Sequence, residues 1–267
     1  MKNLIFAFIG CCFALLGCKE KPESRQDKLE LVQTGEPKNV QNPTPTLKII
    51  PIEHATVVLE WGGTTLYIDP VGGAAAFEGQ KTPDLILITD IHEDHFSVET
   101  LLELNTSKAK IMLPQAAADK MPEEFTPQID VLHNRDRKER YGIEVEAIPM
   151  YNIREEALKY HTKGRGNGYV LDRNGQRIYI SGDTEDTSEM RSLKNIDIAF
   201  VCMNLPYTMT VENAADAVLD FKPQQVYPYH YRGRPEVSDV KKFKELVNQG
   251  NQEIEVVLLD WYPAEDF

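Results

Sequence analysis

The sequence predicts an α/β domain in which two mixed sheets pack face to face and helices cover them. Three observations carry this. Short apolar runs of strand length dominate the first half of the folded region, and two of them flank the turn pair Gly62-Gly63. A second hairpin signal, Asn174-Gly175, separates two later runs. From Ile196 onward, strand-like and helix-like segments alternate.

Taken in order, Leu47–Ile52, Thr56–Trp61 and Thr65–Asp69 read as strands rich in β-branched and aromatic residues. Asp84–Thr89 carries a continuous aliphatic run, the pattern of a strand buried on both faces. Ser97 offers an N-cap for a helix reaching Asn105. Ala109–Leu113, Ile129–Leu132 and Ile143–Ile148 are further strands, and Gly168–Leu171 and Arg177–Ser181 form the second hairpin. Strand Ile196–Cys202, helix Val211–Asp220, strand Gln225–Tyr229, helix Val237–Asn248 and strand Ile254–Leu259 complete the pattern. Cys202 reads as a buried strand residue, and no repeat of solenoid period occurs.

The residues before Leu47 read as an address and a tether. After Met1-Lys2-Asn3, the stretch Leu4–Gly17 is apolar and uncharged, shorter than the ~20 residues a membrane-spanning helix needs, and it suits a secretory signal. Leu15-Leu16-Gly17-Cys18 resembles the bacterial lipobox, in which the cysteine is lipidated after cleavage. Lys19–Thr46 holds Pro22, Pro37, Pro43 and Pro45 among many charges and cannot bury enough apolar surface to fold. The expectation is therefore a signal peptide over 1–17, a flexible tether over 18–46 and one domain over 47–267. The chain would be an exported lipoprotein on a periplasmic or cell-surface face, held to the membrane only by acyl chains on Cys18, at ~0.8 kcal/mol per buried methylene. Cys11 and Cys12 would leave with the signal, so Cys202 has no partner for an internal disulfide.

Charge narrows the function classes. Lys plus Arg number 29 against 42 Asp plus Glu, a net charge of −13 that disfavours a nucleic-acid partner. A mean hydropathy of −0.39 excludes a polytopic membrane protein. A small-molecule or lipid-like substrate remains.

The chemistry concentrates in Asp90-Ile91-His92-Glu93-Asp94-His95, directly after the aliphatic run. Imidazole and carboxylate are the usual ligands of zinc and its neighbours. Asp94 and His95 can face one ion while Asp90 and His92 face another. Read alone, the segment also suits a charged surface loop, Asp183 could cap a local turn, and His230 could be a half-buried histidine. His54 suits a hydrogen-bonding role or core packing, and His133 heads a solvated charged run.

The segment resembles the His-x-His-x-Asp-His signature of the metallo-β-lactamase superfamily, with Asp90 in place of the first histidine. Ser181-Gly182-Asp183-Thr184 resembles the turn of the family's metal-bridging aspartate, and Tyr229-His230-Tyr231 its last metal-binding histidine. His54-Ala55-Thr56 and Ile68-Asp69-Pro70 resemble the opening motifs of the branch that includes ascorbate-6-phosphate lactonase and N-acyl-phosphatidylethanolamine phospholipase D. The resemblance implies a four-layer αββα sandwich with a site for one or two metal ions along one edge. It implies a first ion on Asp90, His92 and Asp183, and a second on Asp94, His95, Asp183 and His230. Zinc (Zn2+) is the default, and Mn2+ or Fe2+ tolerates the carboxylates well. Where the family has a further histidine after the strand ending Pro149-Met150, this chain has Tyr151-Asn152. Asn152 could coordinate only through its carbonyl. His161, in the glycine-rich stretch Tyr160–Gly168, could supply the missing ligand, donate a proton or be exposed.

Such a site implies hydrolysis of an ester, lactone or phosphodiester-type bond, because a metal pair lowers the pKa of bound water from ~15.7 toward ~7 and makes hydroxide available. Asp94 and His161 are the candidate catalytic residues. No Gly-x-Ser-x-Gly elbow offers a serine alternative. The competing reading is a non-catalytic, lipid-anchored binding protein on a degenerate form of the same scaffold.

Overall fold

The structure, a computed structural model, describes residues 46–263. The signal segment, Cys18 and the tether up to residue 45 lie outside the described residues.

Strands β1 (Leu47–Glu53), β2 (Thr56–Trp61), β3 (Thr64–Ile68), β4 (Leu85–Leu87), β5 (Lys110–Leu113) and β6 (Ile129–Val131) form one sheet in sequence order. The first three pair antiparallel and β3 to β6 pair parallel. Strands β7 (Arg137–Arg140), β8 (Ile143–Met150), β9 (Gly166–Arg173), β10 (Gln176–Ile180), β11 (Ile198–Cys202), β12 (Gln225–Tyr229) and β13 (Glu255–Val256) form the second sheet, again in sequence order. There β7 to β10 are antiparallel and β10 to β13 parallel. Helices α1 (Val98–Glu103), α2 (Gln115–Ala118), α3 (Ser188–Arg191), α4 (Val211–Phe221) and α5 (Val240–Gly250) fill the crossovers.

Strand periodicity produces the layers. On β2 to β5, Val57, Leu59, Trp61, Leu66, Ile68, Leu85, Leu87 and Met112 enter the large core shared with the second sheet. Their alternating neighbours Val58, Tyr67, Ile86, Ile111 and Leu113 pack instead with Leu101 of α1 and Ala117 of α2. Ala214 and Val218 of α4 and Phe243 of α5 join the large core. Helix, sheet, sheet, helix is the outcome, the αββα sandwich.

The Asn174-Gly175 hairpin forms as expected, with both residues at positive φ (55° and 85°) and Arg173 paired to Gln176. Ser97 caps α1 by accepting from Thr100 N at 3.1 Å. Cys202 is fully buried in β11.

Two expected segments needed correction at their bounds. The helix expected from Val237 starts at Val240, because the Asp239 carboxylate accepts from the amides of Lys241 and Lys242 and sets the N-terminus there. The strand expected over Ile254–Leu259 shrinks to Glu255–Val256, since it pairs only with the first residues of β12. The charged run Arg137–Arg140 is an edge strand, its charges matched by Glu146 and Asp130. The one-turn helices α2 and α3 are too short to leave a helical period in the sequence.

The parallel halves of both sheets end on one edge. The residues that follow β3, β4, β10 and β12 there are Asp69, the 88–95 loop, the 181–184 turn and His230.

Candidate metal centre

Each element delivers its polar residue by a local device. Asp69 turns at φ 45°, with its carbonyl held by the Thr56 hydroxyl at 2.6 Å. The loop after β4 coils so that His95 N and Phe96 N both donate to His92 O, at 3.0 and 2.8 Å. Gly182 allows the turn after β10 to press against its neighbours. A Cβ there would lie 2.5 Å from Met150 Sδ, and the residue sits at φ 59°. His54, between β1 and β2, and His230, after β12, both adopt positive φ (57° and 47°).

These devices bring the expected residues together. His95 Nε2 and His230 Nε2 are 2.9 Å apart, and Asp183 lies 3.4 Å from the first and 3.1 Å from the second. Asp94 is 3.5 Å from His230. On the other side, His92 Nδ1 is 2.7 Å from Asp90, and His161 Nε2 is 3.9 Å from Asp90 and 3.2 Å from Asp183. Three groups thus have their ligand atoms within 4.8 Å of one another: Asp90, His92 and His161; His95, Asp183 and His230; His54, Asp94 and His230. Ligands about 2.0–2.2 Å from one ion stand roughly 3 to 3.5 Å from each other, so the separations are those of a coordination shell.

The donor set fits metal ions on a second ground. His161 Nε2 and Asp183 Oδ1 are buried without a hydrogen-bond partner among the described residues. Buried polar atoms are normally satisfied. Here several acceptor atoms converge on common points, an arrangement that a cation relieves.

Electrostatics point the same way. Burial opposes ionisation of Asp183, yet His230, His95 and His161 hold its carboxyl well below the usual range. Burial disfavours a charged His95, but Asp183, Asp94 and Asp69 draw a proton onto it and raise it well above the ordinary value. Burial pushes His230 down to about 3, leaving its nitrogen available as a ligand. Burial opposes ionisation of Asp90 too, but His92, His95 and Arg165 bring it to about 2. The carboxylates stay charged and demand positive charge among them.

The first group of candidate ligands differs from the expected Asp90, His92 and Asp183 by including His161. Asn152 is buried and donates from Nδ2 to Ala157 O at 3.0 Å and Tyr207 O at 2.6 Å, while its Oδ1 has no hydrogen-bond partner among the described residues. Its backbone N–H donates to His161 O at 2.9 Å, closing the 152–161 loop at its neck. That closure carries His161 inward, buried, with Nδ1 on Tyr207 O at 3.1 Å and Nε2 facing Asp90 and Asp183. The first set is therefore Asp90, His92 and His161, with Asp183 between the two sets. His54 Nε2 stands 3.3 Å from Asp94, and His133 is on the surface.

Of three supporting residues, Asp69 was marked only by the Ile68-Asp69-Pro70 resemblance, and Arg165 and Glu185 carried no signal of their own in the sequence. Asp69, fully buried, lies 2.8 Å from His95 Nδ1 while accepting from Thr89 N and Oγ1, which turns His95 Nε2 toward the cluster. Arg165 forks onto both oxygens of Asp90 at 3.1 and 2.8 Å. Glu185 accepts from Ile153 N, Arg154 N and Arg154 Nε at 2.8, 2.8 and 2.5 Å, and Arg154 reaches on to Thr208 O at 2.7 Å. That pair ties together the loops after β8, β10 and β11.

Residues 48–230 match the family described as the Beta-lactamase superfamily domain. The chain belongs to the metallo-β-lactamase superfamily. Within it, the chain groups with the UPF0173 metal-dependent hydrolases: it is 32% identical to the one from Pyrococcus abyssi over 211 residues, covering 75% of this chain and 92% of that protein. The crystal structure of a Parabacteroides distasonis protein assigned by name as a metal-dependent hydrolase superposes with a TM-score of 0.71 at 34% identity, over 80% of this chain and 93% of that one. Igni18, a metallo hydrolase from Ignicoccus hospitalis, shares the fold at a TM-score of 0.67 and 21% identity, over 80% of this chain and 95% of its own.

Proposed function

We propose that this metallo-β-lactamase superfamily member is a hydrolase that cleaves an ester, lactone or phosphodiester-type bond in a small or lipid-like substrate. The observation that carries this is the convergence of the three ligand-competent groups on the floor of one cleft of about 880 Å³, lined by His92, Asp94, His161 and Asp183. Asp90, His92 and His161 would hold one ion and Asp94, His95 and His230 a second, with Asp183 between them. Divalent ions bound there polarise a carbonyl or phosphoryl oxygen and make water acidic enough to act as a nucleophile near neutral pH. Zinc suits the imidazoles, and manganese or iron suits the carboxylates equally.

The chain's own groups position Asp94, whose side chain is 44% exposed. The Tyr262 oxygen receives the amides of Tyr231 and Arg232 at 3.2 and 3.1 Å and stands 2.7 Å from His54 Nδ1. His54 Nε2 in turn stands 3.3 Å from Asp94 Oδ2, the oxygen that also faces His230 at 3.5 Å. His54 thus orients Asp94 toward the cluster. No observation favours the non-catalytic binding reading, since all six residues expected as ligands stand within the three groups.

Chelator-stripped full-length protein should lose turnover of model lactones, esters or phosphodiesters, and reloading should restore it at about two equivalents per chain with unequal affinities. Full turnover by metal-free protein would overturn the reading. We also propose that the protein is exported and lipid-anchored through Cys18, a reading supported by Leu15-Leu16-Gly17-Cys18. Labelled palmitate should enter the wild type and not Cys18→Ala; equal labelling of both removes the anchor.

A further inference from the structure

The first set has a carboxylate where the metallo-β-lactamase signature has an imidazole, and that carboxylate comes with a counter-ion. The Asp90 side chain is 0% exposed, and a buried carboxylate needs a partner charge that a neutral imidazole does not. Arg165 supplies it, with Nε 3.1 Å from Oδ1 and Nη2 2.8 Å from Oδ2. The same Nη2 stands 3.5 Å from His92 Nε2 and donates to Tyr160 O at 2.6 Å. One guanidinium therefore faces two of the three side chains of the first set, Asp90 and His92.

The backbone keeps it there. Arg165 N donates to Thr162 O at 3.2 Å, and Asn167 N donates to Thr89 O at 2.9 Å, next to Asp90. Between them, Gly166 lies so close that a Cβ would stand 2.8 Å from Thr89 O and 3.3 Å from Asp90 Oδ1. Asp94, on the second set, is paired differently. Among the described residues its basic partners are imidazoles, His54 at 3.3 Å, His230 at 3.5 Å and His95 at 3.9 Å. An imidazole that binds metal is neutral, and Asp183 is common to both sets. Asp90 and Arg165 then cancel, so the first set has no net charge of its own, while Asp94 leaves the second with one negative charge.

We propose that Arg165 is the resident counter-ion of Asp90 and makes the first set the weaker, exchangeable position, so that Asp94, His95, Asp183 and His230 fill before Asp90, His92 and His161. The inference rests on the reading of these groups as metal sites. Asp90 would have to serve a divalent ion and the guanidinium at once, and the two like charges repel. Unit charges about 4 Å apart near a protein surface interact by an amount worth about a thousandfold in affinity. Losing an outer hydrogen-bonding partner weakens a metal site by only about 10- to 100-fold. Removing the Arg165 charge should therefore tighten the first set, provided a donor remains to orient Asp90.

Calorimetric titration of chelator-stripped full-length protein with Zn2+ tests this. The wild type should bind one tight and one weak equivalent, and Asp90→Ala should lose the weak one and keep the tight one. Arg165→Gln keeps a donor for Asp90 and removes the charge. It should tighten the weak equivalent by about tenfold and move the tight one by less than about twofold. Arg165→Lys keeps the charge and loses the fork, so its weak equivalent should be no tighter than in the wild type. The tight equivalent reports in each variant that the sandwich is folded. Three results would overturn the proposal: loss of the tight equivalent in Asp90→Ala, a weak equivalent that is unchanged, weaker or lost in Arg165→Gln, or equal tightening in Arg165→Gln and Arg165→Lys. Shifts as expected without turnover of model lactones, esters or phosphodiesters would count against the hydrolase reading and leave the counter-ion standing. Turnover with the weak equivalent unmoved in Arg165→Gln would sink the inference alone.

Discussion

Asp183→Ala is expected to lose metal from both sets and to lower turnover by more than the roughly 10- to 100-fold that removing an outer hydrogen-bonding partner costs. Its carboxylate lies 3.1 Å from His230, 3.4 Å from His95 and 3.2 Å from His161, so it is the one anion that both sets share. Without it, two cations would stand close together with nothing between them to screen their repulsion. Asp90→Ala should be milder. It leaves His92 and His161 on the first set and does not touch Asp94, His95 or His230, so about one equivalent should stay bound. Elemental analysis of both variants, with turnover read at matched metal concentrations, checks the pair. Full metal and full turnover in Asp183→Ala would show that the Gly182-Asp183-Thr184 turn is only structural.

Glu185→Ala should lower stability by about 3 kcal/mol, the lower part of the range for breaking a buried ion pair, because Arg154 is partly exposed and regains water. The side chain of Glu185 is 1% exposed and that of Arg154 28%. The substitution also strips an acceptor from the amides of Ile153 and Arg154. For a domain of this size the melting temperature should fall by roughly 6–12 °C. Glu185→Gln keeps one acceptor oxygen and should fall by less. The loop that this pair anchors ends in His161, so metal affinity should weaken along with stability. Thermal denaturation and metal titration of both variants read the two effects. An unchanged melting temperature in Glu185→Ala would show that the pair contributes nothing to holding the loops.

The sequence by itself determined the sheets and the polar residues that gather at their shared edge. The β-branched run Thr56–Trp61, the run Ile143–Ile148 and the Asn174-Gly175 turn encode strands through interactions between near neighbours, and these formed where expected, the second extending to Met150. Asp90, His92, Asp94, His95, Asp183 and His230 were legible because each follows a strand, and strand ends on one edge of a sandwich converge. Tertiary structure decided what depends on residues far apart in the chain. Asn152 stands where the resemblance places a further histidine, and its amide nitrogen is held by Ala157 and by Tyr207, a partner 55 residues away. His161 joins Asp90 and His92 because the closed loop leaves its Nε2 facing them. Asp69 reaches His95 across 26 residues and Arg165 reaches Asp90 across 75. No periodicity or turn signal encodes such contacts, since they exist only once the two sheets have packed and their loops share one edge.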